Sequence, residues 1–402
     1  MKGFSVKPKA VLAYCREKGI RSFDLRYTDL EGGWRQVTLP IANLSETSFE
    51  EGLGHEVVVD PQMPYHPYSI LVPQSHAHYL DPFTQQPALV LIATIQDILQ
   101  REESPFDSRF VAAQSLRYLQ STGIADDVRI RTSLPFTLNT VKVLEETRAS
   151  RGTDSQYLIR SRIADFAAEA GVAVDRHFLN AKNLSEFAIQ PKSVLEACDD
   201  CAMLRYVIEQ TGAQSGSSLD IASHWAATQW SFVRGGEPVF SSGAYQGLSD
   251  LGRHALGGIL QHAATLTCIF WLSESDRSQS PSTVPFSQDC EPNSPAAFCK
   301  PAPDATSPRE SVLELHAVPA SGNHYLACAA TIMAMIDGIH NKTPLPSRDK
   351  IDSGSVIPVV QGHWDRTKAF QTLDMDSDFL TQGDVFSEEL VEWIRHRVES
   401  LS

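Results

Sequence analysis

Val312-Leu-Glu-Leu-His-Ala-Val318 alternates side chains along its length, with Leu313, Leu315 and Ala317 on one face and Glu314 and His316 on the other. Strict alternation of this kind is the mark of a strand with one buried face. A long helix over His324–His340 follows it. The same texture extends back to about residue 107. Arg109–Thr122 has helical spacing and stops at Gly123, and Ser161–Ala170 stops at Gly171 just before the alternating strand Val172–Phe178. Glycine ends helices because it takes the left-handed backbone without steric cost. Val194–Gln210, Gly247–Cys268 and Ser387–Ser400 complete a set of helices with intervening strands, which predicts an α+β architecture.

The N-terminal part reads differently. Lys9–Lys18 forms a short helix ending at Gly19, and the β-like runs Ser22–Tyr27 and Trp34–Leu39 are joined by the turn-rich Asp29–Gly33. Further strand-like pieces at Val57–Asp60, Ser69–Val72 and Leu89–Ile95 predict a small mixed sheet with little helix. Two domains are therefore expected, 1–103 and 104–402, as the chain length also suggests. Ser273–Ser311, rich in Ser and Pro and poor in large aliphatic residues, is expected to be an irregular surface excursion.

The formal net charge of −15 argues against a nucleic-acid or anionic-membrane surface, which would need concentrated Lys and Arg. No apolar run is long enough to span a bilayer, and the first residues lack the apolar core of a signal peptide. Seven cysteines form no regular framework. Free thiols in a reducing, cytoplasmic setting are the expectation.

Several local patterns invite a chemical reading. Cys198-Asp-Asp-Cys201 has metal or redox spacing, but it falls within a helix, and its only candidate partners are Cys290 and Cys299. His76-Ala-His78 puts two imidazoles on one strand face with no carboxylate cluster nearby. Asp374, Asp376 and Asp378 mimic the start of a calcium loop, yet Phe379 stands where Gly is needed and Val385 where the last carboxylate should be. Glu314 and His316 are the best local acid–base or metal pair. Two polar residues on a strand face are also what an ordinary solvated side presents. No Walker-type phosphate loop and no G-x-S-x-G elbow occurs.

Taken in order, several segments resemble the bacterial type I glutamine synthetase family. Phe23-Asp-Leu-Arg-Tyr-Thr-Asp29 and Gly33-Trp-Arg-Gln-Val-Thr-Leu-Pro40 resemble the first strands of its β-grasp domain. Phe49–Gly54, Leu80–Phe83, Ser121–Asp126, Gly257–Ala263, Asn323–Leu326, Met335–Lys342 and Asp384-Val-Phe-Ser continue the match along the chain. The resemblance implies the glutamine synthetase fold, with an N-terminal β-grasp domain and a larger catalytic-type domain.

The family holds ATP phosphates on carboxylate-bound divalent ions while glutamate is activated for attack by ammonia. Its G-x-E-x-E-F motif falls on Arg131-Thr-Ser-Leu-Pro-Phe136, so Ser133 and Pro135 replace the two glutamates. The next glutamate pair falls on Asn180 and Ala188, with Glu186 two residues from the second position. The H-x-H stretch maps to Ala227 and Gln229, and a phosphate-contacting arginine has become His316. Glu314 alone keeps one of six metal-ligand positions.

The N-x-x-x-N-S-Y-K-R segment coincides with Ser273–Ser311, the D-G-S-S loop is missing near His55 and Glu56, and the adenylylation tyrosine falls near Ser353. The chain ends at Ser402 without the family's H-P-x-E-F segment, so ring contacts are expected and a double ring is not. These departures imply a degenerate member, with no confident cofactor, that acts as an assembly or regulatory partner. It would form a homo-oligomer or a hetero-oligomer with an active synthetase. The alternative is a magnesium- and ATP-dependent amide ligase rewired around Glu314, His316 and Glu186.

Overall fold

The computed structural model describes residues 7–54, 64, 68–139, 154, 156–241, 247–273, 290, 297–304, 307, 310–346 and 366–400. The strand expected at Val57–Asp60, the positions near His55, Glu56 and Ser353, and most of Ser273–Ser311 lie outside them.

Helix α1 (Pro8–Lys18) begins on a proline, whose missing N–H costs nothing in a first turn, and ends at Gly19 with φ 64°. Its buried Val11 and Cys15 pack on a four-stranded mixed sheet of order β2-β1-β4-β3. The strands are β1 (Ser22–Thr28), β2 (Trp34–Pro40), β3 (Ser69–Asp81) and β4 (Ala88–Asp97), with a short helix α2 at Ser48–Glu51. The β1–β4 pair is parallel and the others antiparallel. Strand β3 runs well past the expected Val72 and bulges between Pro73 and His78. His76 and His78 share its outer side. His76 accepts a contact from Arg109 Nη2 at 3.3 Å and His78 Nδ1 meets the Ser75 carbonyl at 2.9 Å, so both are engaged as ordinary surface imidazoles.

The second sheet has eight strands, six of them on the path β11-β12-β9-β5-β7-β6, all antiparallel. They are β5 (Asp127–Asn139), β6 (Val174–Leu179), β7 (Ser185–Ile189), β9 (Trp225–Arg234), β11 (Cys299–Pro303) and β12 (Ser311–Pro319), with β8 (Ser218–Asp220) and β10 (Glu237–Pro238) at the sides. One face packs on helices α3 (Ser108–Thr122), α4 (Tyr157–Ala170), α5 (Val194–Gln214), α6 (Asp250–Gln261), α7 (Ala263–Phe270) and α8 (His324–His340). The last three helices are α9 (Arg366–Met375), α10 (Asp378–Thr381) and α11 (Glu388–Ser400). Ile130, Leu134, Ala226, Trp230, Leu313 and Leu315 all point into this helical side. An antiparallel sheet covered on one face leaves the other to carry polar groups.

Two expectations are corrected. Ser273–Ser311 is not irregular throughout, because Cys299–Pro303 is a strand paired with β12. Its prolines are tolerated because β11 is the edge of the sheet, where no ladder donor is needed. Gly247–Cys268 is not one helix either. It breaks at His262, whose ring bonds Asp376 through Nδ1 at 2.8 Å and Asp337 through Nε2 at 3.0 Å. Asp376 thus serves the fold, in keeping with the failed calcium pattern.

Helix α8 is the axis of the helical layer, buried at every position but His340. It crosses α6 so closely that a Cβ on Gly258 would lie 2.1 Å from the Ala334 carbonyl oxygen, and one on Gly338 would lie 2.4 Å from that of His254. At its other end the Asn323 side chain accepts from Leu326 N and donates to the Asp29 carbonyl at 2.9 Å. Arg205 Nη2 reaches the Gly32 carbonyl at 2.7 Å, so the β1–β2 turn is held against both α5 and α8. Arg26 of β1, flanked by Asp24 and Asp81, stacks 4.2 Å from the Tyr206 ring centre and completes the junction between the sheets.

Candidate functional site

The polar face of the large sheet can be built up from strand register. Glu314 of β12 lies opposite Gln229 of β9, which lies opposite Arg131 of β5. One step along, Ala227, Ser133, Ala188 and Arg176 form a second row across β9, β5, β7 and β6. Pro135, Glu186 and Phe178 form a third. Alternate residues of adjacent strands share a face, so this register places positions that are far apart in sequence on one surface.

A cavity of about 800 Å³ opens over the rows. Of the residues singled out in the sequence, Ser133, Pro135, Asn180, Glu186, Ala227, Glu314 and His316 all line it. Ala188 belongs to the second row but is fully buried and is not part of the lining. The Cys198–Cys201 pair is elsewhere. Both thiols are buried in α5, and Cys198 faces Cys328 of α8 with the sulfurs 3.6 Å apart. Burial pushes both thiols well above their usual range, so they are inert in place. Cys299 is in the β11 core and does not meet them.

Glu314 is firmly engaged. Gln229 Nε2 donates to its Oε2 at 2.9 Å, His316 Nε2 meets its Oε1 at 2.9 Å, and the Lys300 ammonium lies 3.9 Å from Oε1. Burial alone would raise its pKa. The hydrogen bond and charge of His316, with help from Gln229 and Lys300, overcome this and hold the carboxyl down at about 2. Glu186 accepts from Asn180 Nδ2 at 2.9 Å. The Asn180 carbonyl oxygen meanwhile takes the backbone N–H groups of Lys182 and Leu184, which closes the β6–β7 turn. His224, also in the lining, meets Thr137 Oγ1 at 2.7 Å, and burial lowers its pKa.

Sequence reasoning missed four groups here: Arg131, Arg176, Lys182 and Lys300. Arg131 was visible only as the residue standing where the family motif has glycine, and nothing local marked the others. Arg131 contacts Asp175 through Nη2 and lies between this cavity and a second one of about 710 Å³ on the same face.

The donor set does not fit a cluster of divalent ions. Magnesium and its relatives need several carboxylate or other hard oxygen ligands converging on one point. The second row offers one hydroxyl and two methyl groups, and the two remaining carboxylates are held by protein donors. Among the described residues no group of three or more His, Cys, Asp or Glu side chains is placed to share a metal ion. Among the described residues, the carboxylates of this face, Glu186 and Glu314, do not converge on a common point.

Comparisons with known proteins agree on family and fold. A family model, "Glutamine synthetase, catalytic domain", matches residues 107–397. The glutamine synthetase of Frankia alni is 26% identical over 97% of this chain and 94% of its own length. That of Mycolicibacterium smegmatis is 27% identical over 96% and 93%. Among solved structures, the cryo-EM structure of Plasmodium falciparum glutamine synthetase superposes with a TM-score of 0.81 at 16% identity, covering all of this chain and 97% of that one. Ligand-free GmaS superposes with a TM-score of 0.77 at 17% identity, covering 96% and 95%.

Proposed function

This chain belongs to the glutamine synthetase family, and within that family we propose that it is a member without glutamate–ammonia ligase activity, acting through assembly or protein contacts. The observation that carries the reading is the state of Glu314. The one carboxylate retained at a family metal position is closed off by Gln229, His316 and Lys300, while Ser133, Pro135, Ala188 and Ala227 bring no charge to the same face. Several ligands lost together remove a site, whereas a single loss only weakens it. Residues 1–103 act as a β-grasp contact domain and 104–402 as the catalytic-type domain. The partner is a second copy of this chain or an active synthetase in the cytoplasm, in the setting of nitrogen metabolism.

The test is γ-glutamylhydroxamate formation by the purified protein with magnesium or manganese. No product is expected. Metal-dependent product that disappears in Glu314→Ala would overturn the reading. Native mass measurement, alone and mixed with an authentic synthetase, tests the partner, and a strict monomer in both cases counts against co-assembly.

A second reading is favoured by the size of the cavity and by the Glu314–His316 pair, in which a carboxylate orients an imidazole. On this view the chain is an ATP-dependent ligase rewired around Glu314, His316 and Glu186. Magnesium and ATP would then bind and raise the melting temperature. A flat titration removes this reading.

A further inference from the structure

Cys198-Asp-Asp-Cys201 takes no part in the cavity over the large sheet, yet the fold gives it partners that no local window could show. Residues three and four apart share one face of a helix, which groups Cys198 with Cys201 on α5 and His324 with Cys328 on α8. The two faces meet, although Cys198 and Cys328 are 130 residues apart in sequence. Cys198 Sγ lies 3.6 Å from Cys328 Sγ and 3.5 Å from the His324 carbonyl oxygen. Cys198, Cys201 and His324 also line one small opening of about 10 Å³ beside the β1–β2 turn, enough for a single water-sized guest.

The chemistry of these groups is consistent. Two sulfurs bound at about 2.3 Å to one tetrahedral ion stand roughly 3.8 Å apart, close to the separation already present between Cys198 and Cys328. His324 is neutral, because burial and the charge of Arg205 lower its pKa to about 4, and a neutral imidazole is the form that ligates. Arg205 lines the same opening and places a fixed positive charge beside sulfurs that become thiolates on binding. Without metal the four side chains do not converge, and His324 Nε2 is turned to the Ala320 carbonyl at 3.4 Å.

We propose that Cys198, Cys201, His324 and Cys328 form a buried site for one thiophilic d10 ion, zinc or copper(I), that joins α5 to α8 under the β1–β2 turn. Thiolate donors select such ions over magnesium or calcium. Cys198 and Cys328 hold the ion first, and rotation of the Cys201 side chain and of the His324 ring closes the shell. Each thiol that ligates gives its proton to solvent. The thiols are only 2–4% exposed in the folded chain, so the ion enters as the chain folds. The site is separate from the face that carries Glu314, and it stands or falls independently of the non-catalytic reading.

Refolding of the full chain from denaturant tests the proposal, without oxygen and with a phosphine reductant, in the presence of zinc or of copper(I). After free metal is removed, one ion per chain should remain bound by elemental analysis, and the melting temperature should exceed that of chain refolded in EDTA. Cys328→Ser should abolish retention of either ion while its metal-free form melts close to the parent chain. Cys15→Ser, which removes a buried thiol of the small sheet, should leave retention unchanged. Retained zinc that His324→Ala releases identifies a four-donor shell. Retained copper(I) that survives His324→Ala identifies a site built on the thiolates alone.

Failure to retain either ion overturns the proposal. So does retention by Cys328→Ser equal to that of the parent chain, or retention lost equally in Cys15→Ser.

Discussion

Among the described residues, two of the histidine–carboxylate clusters within the fold, those of His262 and His316, sit in opposite surroundings. His262, between α6 and α7, is stacked 3.9 Å from the Phe379 ring centre and has a carboxylate on each ring nitrogen. His316 in β12 has one, on Nε2, and a third of its side chain is exposed to the cavity. Burial alone would depress the pKa of His262, yet hydrogen bonds to Asp337 and Asp376 and their charges raise it to about 9. A ring with both nitrogens taken has no proton left to move and can only hold helices together. A ring with one side open can still meet a ligand. Identical residue types thus divide into structure and site by how many of their valences the fold consumes.

The sharpest way to break this contrast is His262→Ala. It leaves Asp337 and Asp376 facing each other without a cation, and removal of one partner from a buried pair costs about 3–5 kcal/mol. Urea unfolding should show a loss of that size, and a loss below about 1 kcal/mol would erase the distinction between the two clusters.

The pH dependence is next in size. His262 binds its proton more tightly in the folded chain than in the unfolded one. Its contribution is therefore complete below the unfolded value near 6.5 and disappears as pH rises through about 9. The shift corresponds to about 3 kcal/mol at most. Melting temperatures followed from pH 6 to 10 should fall on that limb.

At the other cluster the sign reverses. Glu314, held down at about 2, contributes stability above its unfolded value and loses it as pH falls toward 2. Glu314→Gln should flatten the acid limb and lower stability at neutral pH by about 1–3 kcal/mol, since Gln229 and His316 bond different oxygens of the carboxylate and the amide keeps only one of them.

The smallest effect concerns access. Cys198, Cys201 and Cys328, packed between α5 and α8, should stay unmodified by a thiol reagent until denaturant opens the chain. Modification in native buffer would mean that the helical layer is looser than its His262 cluster suggests.

Much of the fold was legible from periodicity and glycine stops. His324–His340 has the same limits in sequence and structure, and Gly123 and Gly171 end their helices in left-handed geometry as expected. What escaped depended on distant partners. The break at His262 is tied to aspartates 75 and 114 residues away, which no local window contains. Strand β11 hid behind Pro301 and Pro303, because edge position is a property of the sheet and not of the segment.

Glu314 and His316 were legible in the strand alternation and the other site positions only through resemblance; the register shows that the strand positions among them meet on one face. The residues that now give that face its charge, Arg131, Arg176, Lys182 and Lys300, had no signal of their own. Each is an ordinary cation until the strands are aligned.

A strand in a sheet covered on one side is in effect two interleaved messages. Odd positions of β5 and β9 address the cavity, even positions address the helices, and the two sets scarcely share an atom. Either message can be rewritten while the other is kept. A ligand face can therefore drift toward new chemistry, or toward none, without the architecture registering the change.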